Sequence, residues 1–429
     1  MLETLRNAWK DVDLRKKIFF TIFILLVFRI GSVIPVPFIN LTALQASDVT
    51  NEFFKYLSIL TGGGLEYGAI FAMSVTPYIN ASIILQLLCV AIPPLERLSK
   101  EGEEGQKKIA QITRFVTIGL GLIQGIAYFF YLKGNSFLAD KATGSIGATW
   151  FAAITIVLCF SAGSALVMWL GEQIDSKGIG NGISMILFAG ILSRAPAAAA
   201  TLWENFFKLK KYTEVIVLLV VFLLLIAFIV WMTNAERRIP VQYAKRVVGR
   251  KMYGGQNTHI PIKVNMSGVM PIIFSSSILM LPTMILSFMS ADQAKTKIYK
   301  ILSLFSTQGV FYAVIYLLLI LGFAYFYVTI QYNPQEMANN LRKNGGAITG
   351  IRPGKPTSDF IKGILNRVTL IGAIFLSVIA VLPILVGNIG SINISLGGTS
   401  VLIVVGVALD TVRGLESQLM MRHYKGFLD

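Results

Sequence analysis

Charged residues are scarce in this sequence. They make up 14% of its 429 residues, while hydrophobic residues make up 55% and the mean hydropathy is +0.68. Soluble domains carry about 25% charged residues, so these values lie well away from their averages. The shortage of charge excludes an ordinary water-soluble fold and predicts a membrane protein.

Carboxylates are nearly absent from the apolar segments. A helix needs about 20 mostly apolar residues to span a bilayer. Ten segments are candidates, of which the fifth and tenth are short: 18–34, 75–92, 115–132, 150–170, 182–192, 215–232, 268–288, 310–330, 368–386 and 399–412. Among them only Asp410, near the end of the last segment, is acidic. Ion-coupled transporters and proton pumps hold their ions with ionisable groups in the membrane, so the sequence argues against both.

Histidine and cysteine are equally rare. His259 and His423 lie in a loop and in the tail, whereas Cys89 and Cys159 lie within apolar segments, as small buried hydrophobic residues do. The sequence contains no HExxH pair, no nucleophile with a neighbouring base and no GxxxxGK[ST] nucleotide motif. We therefore expect a protein that is not an enzyme, has no metal or cofactor, and receives its energy from a partner.

Basic residues are plentiful, and their distribution predicts the orientation of the chain. If the N-terminus is inside, 27 of the 38 lysines and arginines fall in inner segments and 10 in outer loops. Cytoplasmic loops retain Lys and Arg, so both termini are predicted to be cytoplasmic, with residues 1–17 as an amphipathic surface segment and 413–429 as a tail. Topology and anionic lipid explain most of the formal charge of +16 without nucleic-acid binding.

One basic residue, Arg29, lies inside the first apolar segment. A charge at this depth is costly unless it reaches the interface, backbone carbonyls or water. Arg29 is therefore predicted to snorkel, to bond backbone carbonyls or to line an aqueous cavity.

The stretch YLSILTGGGLEYGAIFAMSVTPYIN, at 56–80, is too broken to span a bilayer and too apolar for a water-exposed loop. Gly62, Gly63 and Gly64 cannot continue a helix cheaply, so 53–60 is predicted to form a short helix that ends at a hinge. Val75 then begins the next span. Broken backbone at membrane depth is tolerated only where protein covers it or water lines it. The stretch is therefore either a mobile stopper or a static re-entrant packing element.

Two pairs of aliphatic residues recur at a spacing of four residues. Val75 and Ile79 share one helical face, and so do Ile183 and Leu187, which follow the glycine-rich GIGNG sequence. Such pairs either pack one helix against another or contribute to a ring of aliphatic side chains that closes a pore by excluding water.

Seven stretches, in order along nearly the whole chain, carry a resemblance to a known family. They are VFRIGSVIPVP (27–37), TPYINASIILQLL (76–88), MWLGEQIDSKGIGNGIS (168–184), ERRIPVQYAKR (236–246), KVNMSGVMP (263–271), NPQEMANNLRKNGGAITGIRPGKPT (333–357) and GGTSVLIVV (397–405). Through them the sequence resembles the SecY family, the channel-forming subunits of the bacterial Sec protein translocase.

This resemblance implies an all-α membrane protein of ten transmembrane helices in two pseudo-symmetric five-helix halves, 18–200 and 201–412, around an hourglass pore. Carried over by position, the pore ring comprises Val75, Ile79, Ile183, Leu187, Ile273 and Ile403. The family's plug falls within 51–66, and its apolar and hinge residues are Leu57, Ile59, Leu60, Gly62, Gly63, Gly64 and Leu65. Val75 and Leu187 stand where isoleucine is common, which keeps the seal apolar.

The resemblance also implies a function. The family's channels move unfolded, signal-bearing polypeptides across the bacterial plasma membrane and release membrane segments laterally into lipid. The lateral gate lies between the second and third and the seventh and eighth helices. Polar contacts across it are expected from Ser82, Gln86, Ser275, Ser276 and Ser277.

The two basic loops, 233–263 and 331–367, gain a role from the same resemblance. They are expected to dock the SecA motor ATPase and the ribosome, chiefly through Arg250, Lys251 and Arg352. The family's channels also associate with SecE and often with SecG. Without the resemblance, both loops are solvated segments close to anionic lipid.

Two rival functions remain. One is a secondary transporter with broken helices around a central site, against which the lack of membrane carboxylates weighs. The other is an intramembrane enzyme, for which the sequence offers no catalytic group.

Overall fold

The computed structural model describes residues 9, 11–46, 58, 61–139, 144–208, 210–243, 246–248, 251–253, 257–288, 299, 302, 305, 310–387 and 398–425. Leu57, Ile59, Leu60 and Arg250 from the predicted sites lie outside these residues, as does most of the predicted N-terminal segment 1–17.

Helices dominate the described ranges. In chain order the first eight are α1 (Val12–Gly31), α2 (Leu41–Ala46), α3 (Thr76–Ala91), α4 (Pro93–Lys100), α5 (Glu103–Gly134), α6 (Ile146–Lys177), α7 (Gly182–Leu192) and α8 (Ala195–Phe207). The remaining elements are α9 (Tyr212–Asn234), β1 (Glu236–Tyr243), β2 (Arg246–Val248), β3 (Lys251–Tyr253), β4 (Asn257–Lys263), α10 (Met270–Phe288), α11 (Val310–Gln331), α12 (Pro334–Lys343), β5 (Gly346–Ile348), α13 (Lys355–Gly387) and α14 (Gly398–Lys425).

Local chemistry sets the starts of the first long helices. The Asp11 carboxylate caps α1 by accepting bonds from the backbone N–H groups of Asp13 and Leu14 at 2.9 and 3.4 Å. Helix α1 therefore begins at Val12, inside the segment assigned to the surface. Val75 caps α3, and Pro77 lies in its first turn, where a missing N–H costs nothing. The proline therefore starts this helix and does not break it.

The fifth apolar segment is longer than the sequence analysis predicted. Helix α7 ends at Leu192, but after a break at Ser193 and Arg194 the alanine-rich helix α8 continues it. Together they form a candidate span of 26 residues, Gly182–Phe207. Pro196 falls in the first turn of α8, where it fits a new helix start. Arg194, which falls in an outer loop if the fifth segment ends at Leu192, therefore lies within this span.

All ten predicted apolar segments coincide with helices. By length and apolarity, six helices in the described part of the chain can cross a membrane. A seventh qualifies if α3 and α4, bent by 103°, form one span. The count of ten membrane crossings stays a prediction.

The two basic loops contain a sheet that the sequence analysis did not predict. Strand β1 pairs antiparallel with both β4 and β5, in the order β4-β1-β5. Ile239 and Val241 alternate inward along β1 and pack with Ile348 and Leu341 in a common core. Since β1 and β4 belong to one loop and β5 to the other, the sheet joins the two loops into one unit.

Each half of the chain has a large apolar core of its own. One core comprises buried residues between Val36 and Phe160, and the other buried residues between Ile229 and Leu402. The halves meet where α7 packs against α14, and again where α3 approaches α10. These two contacts enclose the candidate site.

Candidate functional site

Two apolar clusters adjoin at Ile79, one between the two halves and the other within the first half. The α7–α14 cluster is built on Leu187, Ile191, Ile403 and Val407, with Ile79 packed against it. The α1–α6 cluster is built on Ile24, Phe28, Phe71, Val75, Val167, Leu170, Ile174 and Ile186, with Ile79 and Ile183 packed against it. Ile79 thus contacts both clusters.

The structure therefore brings five of the six predicted ring residues into adjoining clusters. Val75, Leu187 and Ile403 are almost fully buried, with exposed fractions of 1%, 4% and 3%. Ile79 and Ile183 are half-buried. The sixth residue, Ile273, is half-buried in the first turn of α10 and belongs to neither cluster as described. Nonpolar side chains packed this closely leave no polar surface for water.

Helix α7 is held in position by backbone contacts at its start. Asp175 accepts a bond from the Gly182 N–H at 2.7 Å, and Asn181 accepts one from the Ser184 N–H at 3.0 Å. A Cβ on Gly182 would lie 1.9 Å from the Gly171 carbonyl oxygen, so glycine is required for this approach of α7 to α6. The glycine-rich sequence thus sets how closely α7 packs against α6, and this sets the positions of Ile183 and Leu187.

A cavity of about 430 Å³ with both polar and apolar lining lies beside the α7–α14 cluster. Strand β4, the start of α7 and the residues just before α10 line it, together with residues 402–413 of α14. Lys263, Asp410 and Arg413 are among its polar residues, while Val269 and Val407 belong to its apolar lining. Because both valines also pack in the α7–α14 cluster, that cluster closes the apolar end of the cavity.

The predicted hinge lies at the opposite end of α7. Gly62 and Gly63 have φ angles of +66° and +90°, which favour glycine. A Cβ on Gly62 would lie 2.8 Å from the Gly190 carbonyl oxygen. Leu65 is buried in the core of the first half, and the Tyr128 hydroxyl donates to its carbonyl at 3.1 Å. The described part of the plug, residues 58 and 61–66, is therefore packed into protein.

Two arginines contact the plug. Arg29, for which the sequence left three alternatives, donates from Nη1 to the Gly62 carbonyl at 2.9 Å and to Ser193 Oγ at 3.2 Å. Arg194 donates from Nη2 to the Glu66 carboxylate and to Ser58 Oγ, the latter at 2.9 Å. Ser58 in turn donates to Glu66 Oε1 at 2.7 Å.

Hydrogen bonds of the residues predicted to lie at the lateral gate include several within single helices. Gln86 bonds Ser82 on its own helix at 3.5 Å. Ser275 and Ser276 donate to the carbonyls of Pro271 and Ile273, also within one helix. A serine hydroxyl in a helix donates to the backbone carbonyl of residue i−4 or i−3 when that carbonyl is within reach. Ser277 is half-buried on α10, which does lie beside α3 as the gate requires.

Two of the three predicted docking residues, Lys251 and Arg352, lie within the described residues. Lys251 belongs to β3, which pairs with β2. Arg352 is exposed in the turn between β5 and α13, and its carbonyl accepts a bond from the Thr357 hydroxyl at 2.8 Å. The backbone of this turn is therefore fixed while the guanidinium faces outward.

The fold and site together define a class of protein. An aliphatic seal between a cavity and a folded-back segment, inside a helical membrane bundle, is the arrangement of a gated channel. The SecY family model matches residues 69–412. The chain is also 44% identical over 439 residues to the protein translocase subunit SecY of Bacillus subtilis, covering 100% of both chains. The chain therefore belongs to the SecY family.

Solved structures with the same fold are more distant in sequence. A protein-conducting channel superposes with a TM-score of 0.67 at 18% identity, over 95% of this chain and 93% of that one. Sec61 in the canine ribosome-channel complex from the endoplasmic reticulum superposes with a TM-score of 0.63 at 16% identity, over the same shares of both chains. These similarities establish that the helical channel fold extends along almost the whole chain.

Proposed function

We propose that this chain is the channel subunit of a protein translocase in a bacterial plasma membrane. It passes unfolded, signal-bearing polypeptides through its centre and releases membrane segments sideways into lipid. The observation that carries the proposal is the position of Ile79, which packs in both apolar clusters, one of which also borders the cavity. Aliphatic side chains close around any sequence because they require no specific hydrogen bond.

Each part of the site has a step in this mechanism. The polypeptide enters the cavity beside the sheet, separates the ring side chains and displaces the plug from the end of α7. The half-buried Ile273 completes the ring when α10 and α3 close around the chain. The neighbouring positions of α3 and α10 suit a seam that opens to lipid, with Ser277 and Gln86 beside it.

The joined basic loops form the docking surface for partners. We assign them to the cytoplasmic side with both termini, since that side retains Lys and Arg. SecA and the ribosome dock there, and basic residues such as Arg352 contact acidic side chains or RNA phosphates. SecE and SecG complete the assembly within the membrane. The ribosome-bound Sec61 relative supports this role for the ribosome.

The proposal is tested by reconstituting the chain in vesicles with a SecE subunit, SecA and ATP. We expect a signal-bearing preprotein to become protected from added protease, and protection to require every component. A matched control omits ATP, and a second replaces the preprotein by its signal-less mature form. Uptake of a small solute by the chain alone, without protein protection, would contradict the proposal and favour a transporter.

A further inference from the structure

Ser58 and Glu66 of the plug are held by charged interactions as well as by packing. The Arg194 side chain is 16% exposed and the Glu66 side chain 42%. They form an ion pair in which Ser58 also takes part, because its hydroxyl lies 2.9 Å from Arg194 and 2.7 Å from Glu66. A charge-assisted bond with restricted access to water is stronger than an exposed one.

The second arginine holds the same segment through its backbone. Arg29 lies in the last turn of α1 and donates to the Gly62 carbonyl at 2.9 Å. The left-handed conformation of Gly62 directs that carbonyl outward from the turn, toward Ser193 and Arg29. Helices α1 and α7–α8 therefore each contribute one guanidinium to residues 58–66.

We infer that Arg29 and Arg194 are positioning residues that hold the plug in its closed place, an inference that rests on the proposed function. The contacts of Arg194 with Glu66 and Ser58 and of Arg29 with Gly62 are called here the plug latch. Arg194 lies within the apolar span Gly182–Phe207, where an unsatisfied charge is costly. Displacement of the plug removes the hydrogen-bond partners of both arginines at once. The closed state is therefore the state in which both guanidinium groups are hydrogen-bonded.

The latch explains two features that packing alone does not require. Arginines are rare in apolar segments because of their cost, yet Arg29 in the last turn of α1 and Arg194 in the break between α7 and α8 both reach one short segment. Glu66 directly follows the buried Leu65, and its carboxylate is bonded by both Arg194 and Ser58. Both features are expected if the plug stays in place while the channel is closed and moves as a unit when the channel opens.

Charge reversal at the ion pair tests the latch. Glu66→Arg and Arg194→Glu each place like charges together, and we expect each to raise the resting ion conductance of the reconstituted channel roughly tenfold, the factor that one charge-assisted bond supplies. The double variant restores an opposite pair and returns the conductance to the wild-type level. Glu66→Gln keeps the side-chain shape and gives a smaller rise, so the test survives if a reversal variant fails to fold.

A matched control uses another ion pair of the same type. Glu204 and Lys208 form an exposed pair at 2.7 Å at the end of α8, away from the plug contacts. Glu204→Lys and Lys208→Glu leave the resting conductance unchanged. For the second contact, Arg29→Lys retains a donor for the Gly62 carbonyl and conducts less at rest than Arg29→Met.

The outcomes separate the latch from the proposed function. If the wild-type chain protects a preprotein but neither reversal raises the resting conductance, the latch is wrong and the translocation function stands. If both reversals raise it and the double variant does not restore the seal, the specific pairing is likewise wrong. If the wild-type chain protects no preprotein, the proposed function fails, whatever the conductances are.

Discussion

Gly62 combines two constraints that a single glycine rarely meets together. Its φ of +66° is strained for other residues, and its α-carbon faces the Gly190 carbonyl with no room for a methyl group. The sequence analysis predicted a hinge from three successive glycines. The structure gives them different roles, because Gly64 lacks a left-handed φ and a Cβ there would have no neighbour closer than 3.5 Å.

Substituting these glycines separates the roles. Gly62→Ala is expected to destabilise the folded channel by about 2 kcal/mol through backbone strain and to raise resting conductance, because the Arg29 contact shifts. Gly64→Ala is the matched control and should behave nearly as the wild type. Thermal unfolding in detergent and conductance in planar bilayers measure both effects. Equal behaviour of the two variants would contradict the account.

Single residues also show which parts of the candidate site can be predicted from the sequence and which cannot. Val75, Ile79, Ile183 and Leu187 could be selected from their helical spacing, because the pattern is local. The contact of Glu66 with Arg194 joins residues 128 positions apart, and the predicted end of the fifth segment at Leu192 placed Arg194 in an outer loop. Its true position depends on α8 continuing α7, which is a tertiary feature that local composition does not encode.

At the scale of elements, the sheet is the clearest difference from expectation. Its strands are short, and β1 contains three charged residues and a proline within Glu236–Tyr243. This composition is typical of an exposed loop. The strand forms because β4 returns antiparallel beside it and β5 arrives from the other basic loop. Helix positions, in contrast, followed from apolar segment lengths, which need no partner.

A charge reversal in the turn after β5 is expected to weaken partner docking without unfolding the helical bundle. Arg352→Glu reverses an exposed charge in the fixed turn after β5, so it should lower the rate of SecA-driven preprotein protection roughly tenfold through slower association. The matched control is Arg97→Glu, an exposed arginine on α4. Both variants should keep the wild-type unfolding temperature. An undiminished rate for Arg352→Glu would remove this residue from the docking surface.

At the scale of the molecule, each half has a large core of its own, and the seal lies outside both cores. The cluster between the halves is small and aliphatic, and Ile79 joins it to the apolar cluster within the first half. Removing one side chain there weakens closure without dismantling either half. Resting leakage and overall stability are therefore separable properties of this chain.

Ile79→Gly tests this separation. Loss of a half-buried isoleucine side chain removes about 2 kcal/mol of contacts, which is roughly a thirtyfold change in the balance of closed and open states. The resting conductance is expected to rise accordingly, and Ile273→Gly should raise it as well. Ile123→Gly provides the same substitution at a 61% exposed position on α5. Equal resting conductance of Ile123→Gly and Ile79→Gly would contradict the predicted pore ring.

The length of α7 limits how much of a polypeptide the seal contacts at any moment. This helix has 11 residues, so it spans about 16 Å between the cavity and the Gly62 turn. An extended chain advances about 3.3 Å per residue, and roughly five of its residues fit within that distance. A window this narrow holds too few residues to distinguish a signal sequence from any other apolar stretch, so under the proposed function we expect the signal to be recognised outside the seal.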